Sequence, residues 1–155
     1  MNAIEGNLNI MEQYLFVCIG TNKLIVDSFG PRVGEILERN FLPFSHLQVL
    51  GTMKSPIHFE NAHLFLEKMD KTKQHKIIAI DSAFGRNEKV GETYFHFGGI
   101  EIGKAFGKSF YFPANLTIKT VVGNLEEEQK HVDTYQINQL AYEIAEKITK
   151  AVLAF

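Results

Sequence analysis

The chain has 155 residues, 45% of them apolar and 22% charged, which suits one globular domain with a buried core rather than a disordered chain. A net charge of −2 gives no attraction for nucleic acid or an anionic membrane, and no apolar stretch is long enough to span a bilayer, so neither partner is expected.

In chain order, residues 1–10 carry neither the basic start nor the apolar run of a signal peptide. They are expected to be a loose N-terminus of a cytoplasmic protein, with residues 11–155 as a single α/β domain. Residues 15–20 read as a buried strand. It contains the one cysteine, Cys18, which can form no internal disulfide and is expected to be an inert core thiol. Pro31 suits the first turn of a helix over residues 31–41, with Val33, Ile36 and Leu37 on one face. Residues 47–50 read as a short strand, and residues 60–71 as a helix with Ala62, Phe65, Leu66 and Met69 turned inward. Residues 76–80 are short, apolar and unbroken, the pattern of a central parallel strand. Residues 92–97 alternate and predict a strand with one wetter face. A glycine-rich loop is expected over 98–107, a further strand over 116–122, and a solvated loop or helix start after it. Residues 134–154 form the longest helical pattern, with a stripe of Ile137, Leu140, Ala141, Ile144, Ile148, Ala151 and Val152. Alternating strands and helices predict a three-layer α/β/α sandwich around a twisted, mostly parallel sheet.

Two aspartates carry the chemistry. Asp27 follows the first strand and precedes Ser-Phe-Gly-Pro; Asp81 ends the apolar run Lys76-Ile-Ile-Ala-Ile. Ligands gather outside the carboxyl ends of strands in open α/β sheets. Taken singly, Asp27 also fits a helix N-cap, and Asp81 a loop carboxylate bonded to nearby amides. As a pair on neighbouring strands they suit acid–base catalysis, because close carboxylates cannot both ionise freely. Alternatively they hold a divalent metal, such as zinc, with His58 and a water completing the shell. His58 lies in the loop after the second strand, as ligand, proton shuttle or a histidine bonded to backbone at a helix start. Glu101 could reach the aspartates or be solvated, and Gly98 and Gly99 could offer amides to a substrate. His46, His63, His75, His96 and His131 show no metal-ligand spacing. The segment Gly98-Gly-Ile-Glu-Ile-Gly-Lys-Ala105 nearly matches a phosphate-binding loop, but Ala105 stands where a hydroxyl must ligate magnesium.

The run Cys18-Ile-Gly-Thr-Asn-Lys-Leu-Ile-Val-Asp27-Ser-Phe-Gly-Pro31 resembles the opening motif of the YyaC-type sporulation proteins of spore-forming bacteria, approximately C-I-G-T-D-R-S-T-G-D-S-L-G-P. Gly51-Thr-Met-Lys-Ser-Pro-Ile-His58 resembles their G-T-x-x-x-P-x-H segment, and Ile78-Ala-Ile-Asp81-Ser-Ala-Phe-Gly85 their A-I-D-A-x-L-G segment. That family is similar in turn to the spore germination protease and the hydrogenase maturation endopeptidases. The resemblance implies a sporulation-related peptidase acting on a peptide or protein, with Asp27 and Asp81 as catalytic acids and the oligomeric state left open. In the hydrogenase peptidases the matching acids and a histidine bind nickel; here the segment of the third ligand offers Glu101 and no histidine. Asn22 replaces an acid, Leu24 and Ile25 replace hydroxyl residues, and Val26 replaces a glycine. This greasier, stiffer loop implies a divergent substrate, lost activity, or a non-catalytic peptide-binding member of the fold.

Overall fold

The computed structural model describes residues 12–69, 75–103, 107, 109–124 and 133–154. The expected loose N-terminus, the end of the helix expected over 60–71, Lys104 and Ala105, and the stretch 125–132 lie outside the described residues.

The main sheet has five strands: β1 (Gln13–Cys18), β2 (Leu47–Leu50), β3 (His75–Phe84), β4 (Thr93–Phe97) and β7 (Leu116–Gly123). Their order is β2-β1-β3-β7-β4, parallel except for β4, which runs antiparallel to β7 at the edge. β5 (Ile100–Ile102) and β6 (Phe110–Phe112) form a separate antiparallel hairpin. Among the described residues three α-helices complete the fold: α1 (Phe29–Asn40), α2 (Ala62–Lys68) and α3 (Thr134–Leu153). This is the expected α/β architecture with a mostly parallel sheet. One face is covered by α1 and α3, which enclose Phe16, Cys18, Leu37, Ile80, Ile118 and Ile144. The other face is covered by α2 and the β5–β6 hairpin, over Val17, Ile57, Ala79, Ile100 and Phe112.

Alternation explains how one sheet serves two cores, since successive side chains leave a strand on opposite faces. Phe16 and Cys18 point to the α1–α3 side, while Leu15, Val17 and Ile19 point to the α2 side. Burial pushes the Cys18 thiol well above its ordinary range, as expected of an inert core cysteine. α3 opens on a capping box: Asp133 Oδ1 accepts from the Gln136 amide at 2.8 Å, and the Asp133 amide donates to Gln136 Oε1 at 3.2 Å. Its buried stripe contains Ala145; Ala151 of the expected stripe is exposed.

Two elements differ from the sequence expectation for a tertiary reason. β3 does not stop at Ile80 but continues to Phe84, because β7 pairs with it along that length, Asp81 opposite Lys119 and Phe84 opposite Gly123. The expected glycine loop holds β5, whose Ile100 and Ile102 are buried in the α2-side core.

Chain order sets the place of the crevice. From β1 the chain crosses through α1 on one face to β2, then through α2 on the other face to β3, on β1's far side. The connections diverge at the carboxyl ends of β1 and β3, a topological switch point. Close packing holds α1 onto the end of β1: a Cβ at Gly30 would lie 2.0 Å from the Ile19 carbonyl oxygen. After β2, Gly51 (φ +94°) turns so tightly under β1 that a Cβ there would lie 2.1 Å from the Cys18 carbonyl oxygen. Gly30→Ala is therefore expected to destabilise the fold by about 1–3 kcal/mol through overpacking against backbone, read as a lower midpoint in urea unfolding.

Candidate functional site

β1 pairs with β3 only as far as Cys18 opposite Ile80; the last rung is the Ile19 amide donating to the Ile80 carbonyl at 2.7 Å. The next residue of β3 is Asp81. It shares the face of Ile77 and Ala79, and emerges just where its neighbour has turned away. The chain leaving β1 is steered back by the Gly20 amide donating to the Ile57 carbonyl at 2.8 Å and the Thr21 amide to the Asp27 carbonyl at 2.9 Å. A single 3-10 turn, Ile25–Asp27, then brings Asp27 over the same space.

Ser28 anchors that turn. It is 1% exposed, donates its hydroxyl to the Ile25 carbonyl at 2.7 Å, and accepts from Arg32 Nε at 2.8 Å. Arg32 Nη1 reaches on to Asn138 Oδ1 of α3 at 2.8 Å. Asp27 is not the helix cap: α1 is preceded by Ser28, and no side-chain capping bond is made. Among the described residues nothing donates a hydrogen bond to the Asp27 carboxylate.

Asp27 and Asp81 line one cavity of about 770 Å³, together with Gly20, Leu24, His58, Phe59, Glu101 and Lys119. Both carboxyls hold their protons more tightly than usual. Burial pushes Asp27 up to about 6. Asp81 is pushed up to about 7, first by burial. The Ser82 amide, 2.8 Å from Oδ1, pulls it down; the Asp27 charge pushes it up; the Lys119 ammonium pulls it down. The loop-carboxylate reading of Asp81 thus holds for one bond to its own neighbour, while the group also faces the cavity.

His58 lies at the wall, its Nδ1 accepting from the Glu60 amide at 3.2 Å and its own amide donating to Asn61 Oδ1 at 2.9 Å. Nε2 is the nitrogen left for other contacts. Glu101, on β5, accepts from the Ser109 hydroxyl. Among the described residues no three His, Cys, Asp or Glu side chains gather closely enough to hold a metal ion, so the expected clamp of Asp27, Asp81 and His58 is not formed. The ring of His58 is tied to the start of its own turn and Glu101 to its own hairpin.

Gly98 and Gly99 do not line the cavity and correct the expectation of substrate-binding amides. They follow Phe97, which pairs with Leu116 at the amino end of β7, three residues before Lys119, the partner of Asp81. Their amides are engaged, Gly98 with the Asn115 carbonyl at 3.1 Å and Gly99 with the Tyr111 hydroxyl at 3.0 Å. The near phosphate-loop motif is likewise a strand across Ile100–Ile102.

Lys119 was not singled out in the sequence. It pairs with Asp81 in register, so both side chains leave the sheet on one face. Among the described residues no carboxylate forms an ion pair with it. The signal was present: a lysine on the inward face of an apolar strand needs a reason.

The raised proton affinities also set a pH dependence. The folded chain binds more protons at Asp27 and Asp81 than the unfolded chain, whose carboxyls titrate near 3.8. Their stability contribution is whole below about pH 4 and is lost as pH rises through about 6 and about 7. Asp81→Asn is expected to melt several degrees above the parent protein at pH 8, with the gain disappearing at pH 4 in thermal scans at both values.

The [NiFe] hydrogenase maturation protease HycI of Thermococcus kodakarensis KOD1 superposes with a TM-score of 0.57, covering 96% of this chain and 97% of that one, at 14% identity; the likeness is one of fold. HybD, a [NiFe] hydrogenase maturation protease from Thermococcus kodakarensis, gives a TM-score of 0.47 at 17% identity over 89% and 99% of the two chains. In sequence the chain is 30% identical over 107 residues to the protein named Uncharacterized protein YyaC of Bacillus subtilis (strain 168), covering 68% of this chain and 51% of that protein. The match thus spans about half the length of this curated relative. The model of the family described as Protein of unknown function (DUF1256) matches residues 1–151. The chain belongs to that family.

Proposed function

We propose that this protein is a peptidase that hydrolyses a peptide bond held between Asp27 and Asp81. The observation that carries the reading is their shared cavity at the switch point, where each carboxyl raises its hold on a proton and one charge is felt by the other. Asp27, the weaker proton binder, is ionised first and serves as general base. It takes a proton from a water whose oxygen bonds to the substrate carbonyl carbon. Asp81 retains its proton and donates it to the amide nitrogen as the C–N bond breaks. Lys119 places positive charge beside the developing oxyanion. Asp27, Asp81 and Lys119 supply every step. A sporulation-related role follows from the family resemblance, and a cytoplasmic one from an N-terminal sequence without the marks of a signal peptide. Among the described residues no helix is long and apolar enough to cross a membrane.

A second reading is a binding protein that captures peptides without cutting them. Leu24 and Ile25, at 43% and 39% exposure, favour it by presenting apolar surface in the loop that carries Asp27, Leu24 at the cavity itself.

Incubation with small acid-soluble spore proteins, the substrates implied by the germination protease resemblance, and with an unfolded protein pool tests both. Cleavage is expected with a bell-shaped profile peaking between about pH 6 and 7, its limbs belonging to the pair. Asp27→Asn and Asp81→Asn are each expected to lower the rate by about 10²-fold or more without lowering the melting temperature. Capture without cleavage at every pH establishes the binding reading instead.

A further inference from the structure

The second cavity lies away from the aspartates. It is an apolar cleft of about 470 Å³ between the C-terminal half of α3 and the sheet, with Ile148 and Val152 on the helix side and Thr93, Phe95 and Ile118 on the sheet side. Its open flank is β4, the antiparallel edge strand, which pairs with β7 on one side and, among the described residues, has no strand on the other. The β4 sequence, Thr-Tyr-Phe-His-Phe, contains no lysine or proline of the kind that guards free edges. Phe97 is 92% exposed, Phe95 64% and Tyr94 50%.

Faces follow from register. Thr93, Phe95 and Phe97 stand opposite Thr120, Ile118 and Leu116, and so share the face on which the cleft lies. Thr93 and Phe95 line the cleft; Phe97, two residues beyond, projects past it. Protrusion and receptacle therefore flank Phe95 symmetrically on the same strand, as a twofold axis requires.

We infer that β4 is a homodimer edge, pairing antiparallel with a second copy about a twofold axis through Phe95. The two sheets then form one continuous sheet. Thr93 faces Phe97 of the partner subunit, Tyr94 faces His96 of the partner subunit, and each Phe97 ring seats at the mouth of the other copy's cleft. The area is adequate. Aromatic side chains carry about 150–250 Å² each, so the exposed parts of three offer about 400 Å² per protomer. Both protomers give about 800 Å², before main-chain edges and cleft walls are added; specific interfaces begin at about 1,000 Å² in total.

Sedimentation velocity on the full chain and site-directed cross-linking test this independently of any activity. A dimer is expected, with Phe97→Asp shifting the protein to half its mass. Under mild oxidation Phe95→Cys is expected to cross-link to itself across the axis, Phe97→Cys alone not to, and Thr93→Cys combined with Phe97→Cys to do so. Buried Cys18 does not interfere. A monomer at every concentration overturns the inference, and so does a dimer that survives Phe97→Asp without a Phe95→Cys cross-link.

Discussion

One constraint shapes the site: β3 outruns β1. The Ile19–Ile80 hydrogen bond is the last between them, yet β7 holds β3 extended to Phe84. Asp81 is thus fixed on a strand but lacks a strand on its β1 side. Its Oδ1 accepts from the Ser82 amide, and its remaining exposure is to the cavity. A carboxylate on a loop could relax towards water; one held in a paired strand stays where the sheet puts it. Burial, which the strand enforces, and then the charge of Asp27 are why its proton is held so tightly.

The opposing carboxyl is held by different means. Asp27 sits on a single 3-10 turn, locked from below by the Ser28 hydroxyl and Arg32, which ties α1 to α3. The approach of that turn to β1 depends on glycine at position 30, where helix backbone meets strand carbonyl. Sheet, helix pair and turn therefore bring two acids to one cavity, and Lys119 adds a cation drawn from a neighbouring strand. His58 and Glu101 stand at the wall of the same cavity, each bonded within its own segment, His58 through Nδ1 and Glu101 through one carboxylate oxygen.

The fold was legible because its signals are local. Continuous apolar runs gave the central strands, the helical stripes gave α1 and α3, and the three ordered motifs gave the family. What escaped was set by pairing. β3's extension past Ile80 depends on β7, and β5 inside the glycine stretch on a hairpin partner and a core to bury Ile100 and Ile102. In the site, Asp27 and Asp81 were readable from their position after apolar strands. Lys119 was not, because only the β3–β7 register reveals which carboxylate it faces. Gly98 and Gly99 misled for the converse reason: close in sequence to Glu101, they turn at the amino end of β7, before that strand reaches Lys119.

The central claim is that two aspartates share one cavity and feel each other's charge. Carboxyl ¹³C NMR titration of the parent protein and of Asp27→Asn tests it directly. The account predicts that Asp81 titrates near 7 and that its pKa falls when the charge at position 27 is removed. Independent titration of both acids near 4, unmoved by the substitution, would contradict it.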